Sequence, residues 1–439
     1  MTESPASDSE ESRVGARTSR RHLLQTAAGI GVGALLGVDR VEASTTGGGD
    51  ERWRFETGDY VRSSPTVVDG TVFVGSQNNN LHALDAETGD EQWHFETGLT
   101  VRSSPTVADG TVFIGSDDTH VYALDAETGD EQWRFQTSRS VSAAPAVTNG
   151  TVFVSSRDAH VYALDAEMGD EQWHFETGDV VKSSPTVVDG TVFIGSWDNH
   201  LYALNADTGD QQWAFEADHR INSSPTVVDG TVFVGSGDHQ VYALDAATGD
   251  GVWAFETGDR VRASPTVVDG TVFVGSVDTN MYALDASTGD ERWQFETGDW
   301  AGSSPTVVDG TVFVGSGDHH VYALDAETGD KYWRFETGLS VGSSPTVVDG
   351  IAFVGSDDGN VYALDAGVEG SSECSRTHLG TLGHHDQGVA FDEEIDHPDD
   401  LDADFAADEQ LPGFGVGSAL AGIGSAGYLL KRRLDDTDE

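Results

Sequence analysis

From Trp53 onward the chain repeats every 40 residues without an insertion. Tryptophan returns as Trp53, Trp93, Trp133, Trp173, Trp213, Trp253, Trp293 and Trp333, and proline keeps the same spacing from Pro65 to Pro345. A fixed period of this size restricts the fold to a propeller, a solenoid or an array. The contents of the unit choose among them. Residues 61–98 hold four short β-rich segments (VRSSPTV, TVFVGS, LHALDA, EQWHFE) separated by the turn formers VDG, QNNN and ETGD. No stretch has helical periodicity. Four strands joined by tight turns make one propeller blade, so the expected fold is all-β, an eight-bladed β-propeller of four antiparallel strands per blade.

The count of eight follows from inner strands expected to begin near Val61, Val101, Val141, Val181, Ile221, Val261, Ala301 and Val341. The eighth unit ends at Ala366 without its W-x-F strand, whereas ERWRFETG (51–58) stands alone at the start. Joining the two closes the ring and removes two exposed sheet edges. Within a unit, Asp69-Gly70 reads as a tight hairpin. Asp85 is placed to accept amides of the Thr88-Gly89 turn. Pro65 is tolerable because an innermost strand is an edge.

The segment ALDAETGDEQW (83–93) resembles the tryptophan-docking motif of PQQ-type propellers, and the resemblance covers 51–366. Departures are Asn205 for Asp, Met168 for Thr, and GVEG (367–370) at the last turn. The resemblance implies two functional classes. One is the quinoprotein dehydrogenases, which hold pyrroloquinoline quinone (PQQ) with Ca²⁺ and act on alcohols or sugars. The other is a non-enzymatic outer-membrane assembly lipoprotein. Quinoproteins build their sites on insertions between blades, and here every unit has the same length. The expectation is therefore a non-catalytic module with no cofactor; PQQ with Ca²⁺ belongs to the alternative.

Both ends read as addresses. Residues 1–43 carry Arg20 and Arg21, an apolar stretch and a small-residue site at Ala43, a pattern similar to a Tat export signal. Residues 44–50 read as a linker. The C-terminus has Pro412-Gly413-Phe414, an apolar run and then Lys431-Arg432-Arg433, which resembles a PGF-CTERM sorting segment over 412–433, followed by a tail at 434–439. Between propeller and anchor, 367–411 reads as an acidic spacer. Its stretch Asp386–Glu409 has eleven acidic residues and no lysine or arginine. The protein is thus expected to be exported and anchored at the outer face of the cell membrane.

Composition narrows the partners. With 76 acidic against 23 basic side chains, nucleic acid is excluded as a partner and membrane contact is left to the C-terminal anchor. Three lysines (Lys182, Lys331, Lys431) and a net charge of -53 resemble proteins of halophilic archaea, where salt screens repulsion. The one cysteine, Cys374, rules out an intrachain disulfide.

The loops between second and third strands and between blades vary, whereas the opposite turns are nearly uniform, so the variable face is the expected binding surface for a protein or envelope component. One position there holds Arg62, Arg102, Lys182 and Arg262, which either neutralise neighbouring Asp and Glu or meet an anionic ligand or a carboxylate-bearing partner. Another holds His120, His160, His200 and His320, each two residues after an aspartate. One His and one Asp per blade are too few for a metal ion, so loop hydrogen bonding is expected. Trp197 and Trp300 fall outside the tryptophan register and are candidate contacts.

Overall fold

The computed structural model describes residues 47–372. The signal expected at 1–43, Cys374, the acidic stretch 386–409 and the sorting segment and tail from 412 onward lie outside the described residues. Within them the chain forms eight four-stranded antiparallel sheets. In the first blade the strands are Thr66–Val68, Thr71–Gly75, Asn80–Asp85 and Glu91–Glu96, from channel to rim. The eighth blade comprises Thr346–Val348, Ile351–Gly355 and Asn360–Asp365, and Glu51–Glu56 completes it as the rim strand.

The inner strand is shorter than the seven residues its sequence suggests. Pro65 has no N–H for the ladder, and the Ser64 amide donates to Ser104 Oγ of the next blade (3.0 Å) instead of to its own sheet. Ser63 Oγ takes over as acceptor for the Gly75 amide (3.0 Å). Thr66 Oγ1 donates to the Pro105 carbonyl (2.6 Å), and the belt closes on itself where Ser344 N donates to Ser64 Oγ (2.9 Å) and Thr346 Oγ1 to Pro65 O (2.5 Å). Side chains therefore link the blades around the channel, at the cost of sheet length.

Asp69 and Gly70 both take positive φ (49° and 76°), as a two-residue hairpin of type I′ requires. Asp85 Oδ1 accepts the amides of Glu87 (3.0 Å) and Thr88 (2.8 Å), fixing the rim turn. That turn presents Ala86 O to the indole N–H of Trp53 on the preceding blade (3.1 Å). Gly89 lets the ring lie flat, because a Cβ there would come within 2.7 Å of the Trp53 ring. The docking motif is thus a relay from each blade to the next, ending with Trp333 on Ala366 O (3.3 Å). The apolar core is divided among the blade-to-blade seams. In one, Phe73, Leu81 and Ala83 meet Val101, Ile114, Tyr122 and Leu124, with Trp93 and Phe95 closing the rim side.

The closure starts before Glu51. Gly49 N donates to Asp365 O and Asp365 N to Asp50 O (both 2.8 Å), the bonds that Gly89 and Asp90 make with Asp85 inside the first blade. Gly49 (φ 84°) also packs on Trp333 as Gly89 does on Trp53. Residues Gly48–Asp50, expected to be linker, are the missing half of the last rim turn.

Candidate binding face

Loops 76–79 and 97–105 and their repeats gather on one face of the ring. In seven of the eight blades the loop after the second strand is built on one aspartate. Asp118 Oδ1 accepts the His120 amide (3.0 Å), and Oδ2 accepts the Gly98 amide and the Tyr122 hydroxyl (both 2.7 Å). Asp158, Asp198, Asp278, Asp318 and Asp358 hold the corresponding tyrosines. Burial and this bond push the tyrosine hydroxyls upward, Tyr322 and Tyr362 to about 12.

The histidine column serves the same loops. Nδ1 of His160, His200 and His320 lies 2.9 Å, and that of His120 3.1 Å, from the carbonyl of the aspartate two residues earlier. The rings of His160 and His200 stack on Tyr162 and Tyr202 of their own strands. The four histidines stay in separate blades. Among the described residues no three His, Cys, Asp or Glu side chains are grouped to hold a metal ion. The PQQ–Ca²⁺ alternative needs carboxylates converging over the channel, and here the loop aspartates are engaged by their own amides and phenols. These residues do not fit that pair.

The basic position lies at the channel mouth. Arg62, only 8% exposed, forms a two-point pair with Asp357 of the eighth blade (Nε–Oδ1 2.9 Å, Nη2–Oδ2 3.2 Å). Arg102 Nε lies 3.4 Å from Asp117 Oδ2. Lys182 Nζ and Arg220 Cζ sit over Trp197 at 4.4 and 4.5 Å from the ring centroid, and the Trp197 indole donates to Asn222 Oδ1. Arg262 occupies the same register one blade on. Trp300 lies across Gly302 and Gly317, where any Cβ would collide with its ring.

Arg139, Arg157, Arg220 and Arg260 share this face, although only the Arg62 column was legible as a pattern. They sit in neighbouring loop positions, and aligning those registers would have found them. Of fourteen lysines and arginines among the described residues, eight are on this face and six on rim strands. The basic residues run from the first blade to the sixth, while Val277, Gly302, Gly317 and Gly342 line the remaining sector.

Blade one departs from the tyrosine–aspartate pattern. His82 and Asn78 stand in for them, with Asn78 Nδ2 and His82 Nε2 3.0 Å apart and His82 Nδ1 2.8 Å from Glu91 Oε1. His94 Nδ1 reaches the same carboxylate oxygen at 3.2 Å. Burial lowers the His82 pKa, against the pull of Glu91. A shallow groove of about 530 Å³, lined by Phe95, Asp118, His120, Tyr122 and Arg134, marks the next seam.

The family described as outer membrane protein assembly factor BamB matches residues 38–143, 120–237, 214–301 and 296–371, and the PGF-CTERM motif matches 411–433. Curated protein sequences give no match. Among solved structures, the chain is similar to BamB from Moraxella catarrhalis at 21% identity and TM-score 0.64, over 72% of this chain and 99% of that one. It is similar to the computationally designed Ika8 protein at 19% identity and TM-score 0.66, over 72% and 99%. It is also similar to quinohemoprotein alcohol dehydrogenase from Comamonas testosteroni at 18% identity and TM-score 0.62, over 75% and 78%. At these identities the likeness establishes the fold.

Proposed function

The chain belongs to the family of outer membrane protein assembly factor BamB, and from that premise we propose that it is an exported, surface-anchored propeller that binds a protein or envelope component without catalysis. The partner is one that presents carboxylates. The observation that carries this reading is the placement of cations: eight of the fourteen described lysines and arginines lie in the loops of one face, among the aspartates of those loops and beside Trp197. Guanidinium and ammonium groups around an aromatic ring recognise acidic surfaces through charge-assisted hydrogen bonds, and the ring supplies contact area.

The test is crosslinking on intact cells, then mass spectrometry, comparing the parent with an Arg102→Gln, Lys182→Gln, Arg220→Gln, Arg262→Gln variant. A rim variant, Arg134→Gln with Arg334→Gln, is the control. Partners should be lost from the face variant and kept by the control. An unchanged partner set in the face variant sinks the reading.

The fold is also that of quinoprotein dehydrogenases, so the alternative has its own assay. Addition of PQQ with Ca²⁺ should give no bound-quinone absorbance and no dye reduction with alcohols or sugars. Turnover there would make the chain an enzyme.

A further inference from the structure

Of the nine asparagines in the chain, two head an Asn-x-Ser/Thr triplet: Asn149-Gly150-Thr151 and Asn222-Ser223-Ser224. In an exported protein that triplet is the acceptor for an N-linked sugar where it lies on an accessible loop. The fold separates the two. Asn222 sits at the channel mouth with its Oδ1 accepting the Trp197 indole N–H. Ser223 and Ser224 are wholly buried, and the Ser224 hydroxyl oxygen accepts the Ser184 amide (2.9 Å) as part of the belt between blades. An enzyme that meets the folded ring reaches neither that amide nor the hydroxyl two residues on.

Asn149 is placed the other way. It opens the two-residue hairpin between the strands Ala146–Thr148 and Thr151–Ser155, with φ 51° beside Gly150 at 75°. Both turn residues are exposed, and a Cβ on Gly150 would meet nothing within 4 Å. The same turn of the eighth blade is covered, with Val368 O 3.0 Å from a Cβ on Gly350. Thr151 Oγ1 makes one long bond, to the exposed Gln172 (3.3 Å). The turn itself does not require the amide, because the other seven blades carry aspartate there at φ 47° to 50°, and a type I′ hairpin takes either residue. Gly-Thr follows in seven of the eight turns, so a single exchange of Asp for Asn creates the acceptor, and the third blade has it. We propose that Asn149 carries an N-linked sugar and that Asn222 does not. The donor is a sugar activated at its anomeric carbon C1 by a phosphate leaving group, transferred by a separate enzyme. The Nδ2–C1 bond forms as the C1–O bond to phosphate breaks; the phosphate leaves with the electron pair, and Nδ2 gives one proton to a base of the transferase. The hairpin belongs to the face of uniform turns, so the sugar stands away from the Arg62 column and leaves the candidate face open. The proposal rests on export and on no partner, so its failure would leave the partner reading standing.

The test uses the full chain from the cells that make it. Intact cells are treated with an amine reagent that does not cross membranes, and only the labelled protein is digested with trypsin, so a bare peptide speaks against the site and not against export. Cleavage after Arg139 and Arg157 isolates Asn149 in 140–157, and cleavage after Arg220 and Arg260 isolates Asn222 in 221–260. The expected result is a sugar mass on 140–157, with sugar fragment ions on dissociation, and a bare 221–260. Asn149→Asp installs the residue of the other blades, and Thr151→Ala removes the hydroxyl while keeping the asparagine; both should fold and lose the added mass. A 140–157 peptide that is bare, or that carries only the aspartate left by deamidation at Asn149-Gly150, overturns the proposal. Added mass that survives in Asn149→Asp sits on a serine or threonine of the peptide and overturns it too. So does sugar on 221–260, which would show that the triplets are modified before the ring folds.

Discussion

Gly49 donates its amide to the carbonyl of Asp365 at 2.8 Å, although 316 residues separate them. Within the first blade, Gly89 makes that bond to Asp85, four residues away. The two ends of the propeller therefore share one rim turn, and the ring closes by a local motif cut in two.

Deleting residues 51–58 should lower the thermal midpoint by more than 10 °C, against a degree or so for eight residues removed from the acidic stretch. The deletion removes Trp53, which contributes on the order of 3–5 kcal/mol, and exposes the edge of the Asn360–Asp365 strand. Gly49→Leu should also destabilise, because a side chain at φ 84° would meet the Trp333 ring. Calorimetry on the three variants checks this; a midpoint within a degree of the parent for the 51–58 deletion disproves the latch.

Tyr122→Phe should cost about 1–3 kcal/mol, because Asp118 loses a buried donor while its other bonds stay in place. A related expectation concerns alkaline pH. Unfolded tyrosines ionise near 10, whereas Tyr322 and Tyr362 are raised to about 12, by burial first and then by their aspartates. Their contribution is full below pH 10 and is lost as pH rises toward 12, since the unfolded state gives up its protons first. Denaturant titrations at pH 9 and 11 should show the fall; equal stability at the two would refute it.

Blade number, strand order and the Trp relay were legible because period and alternation report directly on sheet packing. The split turn was not, because GGGD shares only its Gly-Asp with ETGD and glycines carry no pattern of burial. The short inner strand was hidden for another reason: Ser63 and Ser64 look like strand residues until Ser63 Oγ is seen to accept the Gly75 amide of its own blade and the Ser64 amide and hydroxyl to bond the blades on either side. On the candidate face the Arg62 column was visible as identity at one position. Arg139, Arg157, Arg220 and Arg260 were not, since they are spread over three loop registers and no one register repeats them around the ring.

The first blade should weaken in mild acid more than its neighbours. His82 is lowered below 6.5 by burial, with Glu91 and the nearby His94 as the charged groups facing it. Its neutral form stabilises the fold fully above pH 6.5, and this is lost as pH falls through the lowered folded value, because the unfolded state takes up the proton first. Asn78→Asp with His82→Tyr restores the pair found in the other blades. The melting-temperature difference between this variant and the parent should widen by several degrees from pH 8 to pH 5. A difference that stays constant would show that His82 does not titrate this way.

Thr119, Thr279 and Ala159 carry backbone strain on the candidate face. Their φ values are 77°, 76° and 70°, where Asn79, Asn199 and Gly359 sit in other blades. The conformation is held because each carbonyl accepts a backbone amide and a threonine hydroxyl, as Thr119 O does from Thr137. A β-branched residue there costs on the order of 1 kcal/mol or more. Thr119→Asn and Thr279→Asn should each raise the midpoint by about 1–3 °C. Lower midpoints for both would show that the threonine side chains contribute more than the strain removes.

Stability should depend on salt more strongly than on any single substitution above. The chain carries 76 acidic side chains against 23 basic ones. On the rim, pairs such as Arg292–Asp285 (2.8 Å) and Arg134–Glu131 (3.8 Å) offset only their own blades. The remaining repulsion acts through solvent, where the screening length falls from about 10 Å at 0.1 M salt to about 3 Å at 1 M. The midpoint should therefore climb by 10 °C or more between 0.1 and 1 M KCl and then level off, because beyond that point little repulsion is left to screen. A midpoint indifferent to salt would mean that the acidic surface does not strain the ring. A rise that continues linearly to 3 M would assign the stabilisation to exclusion of salt from the protein surface instead of to charge.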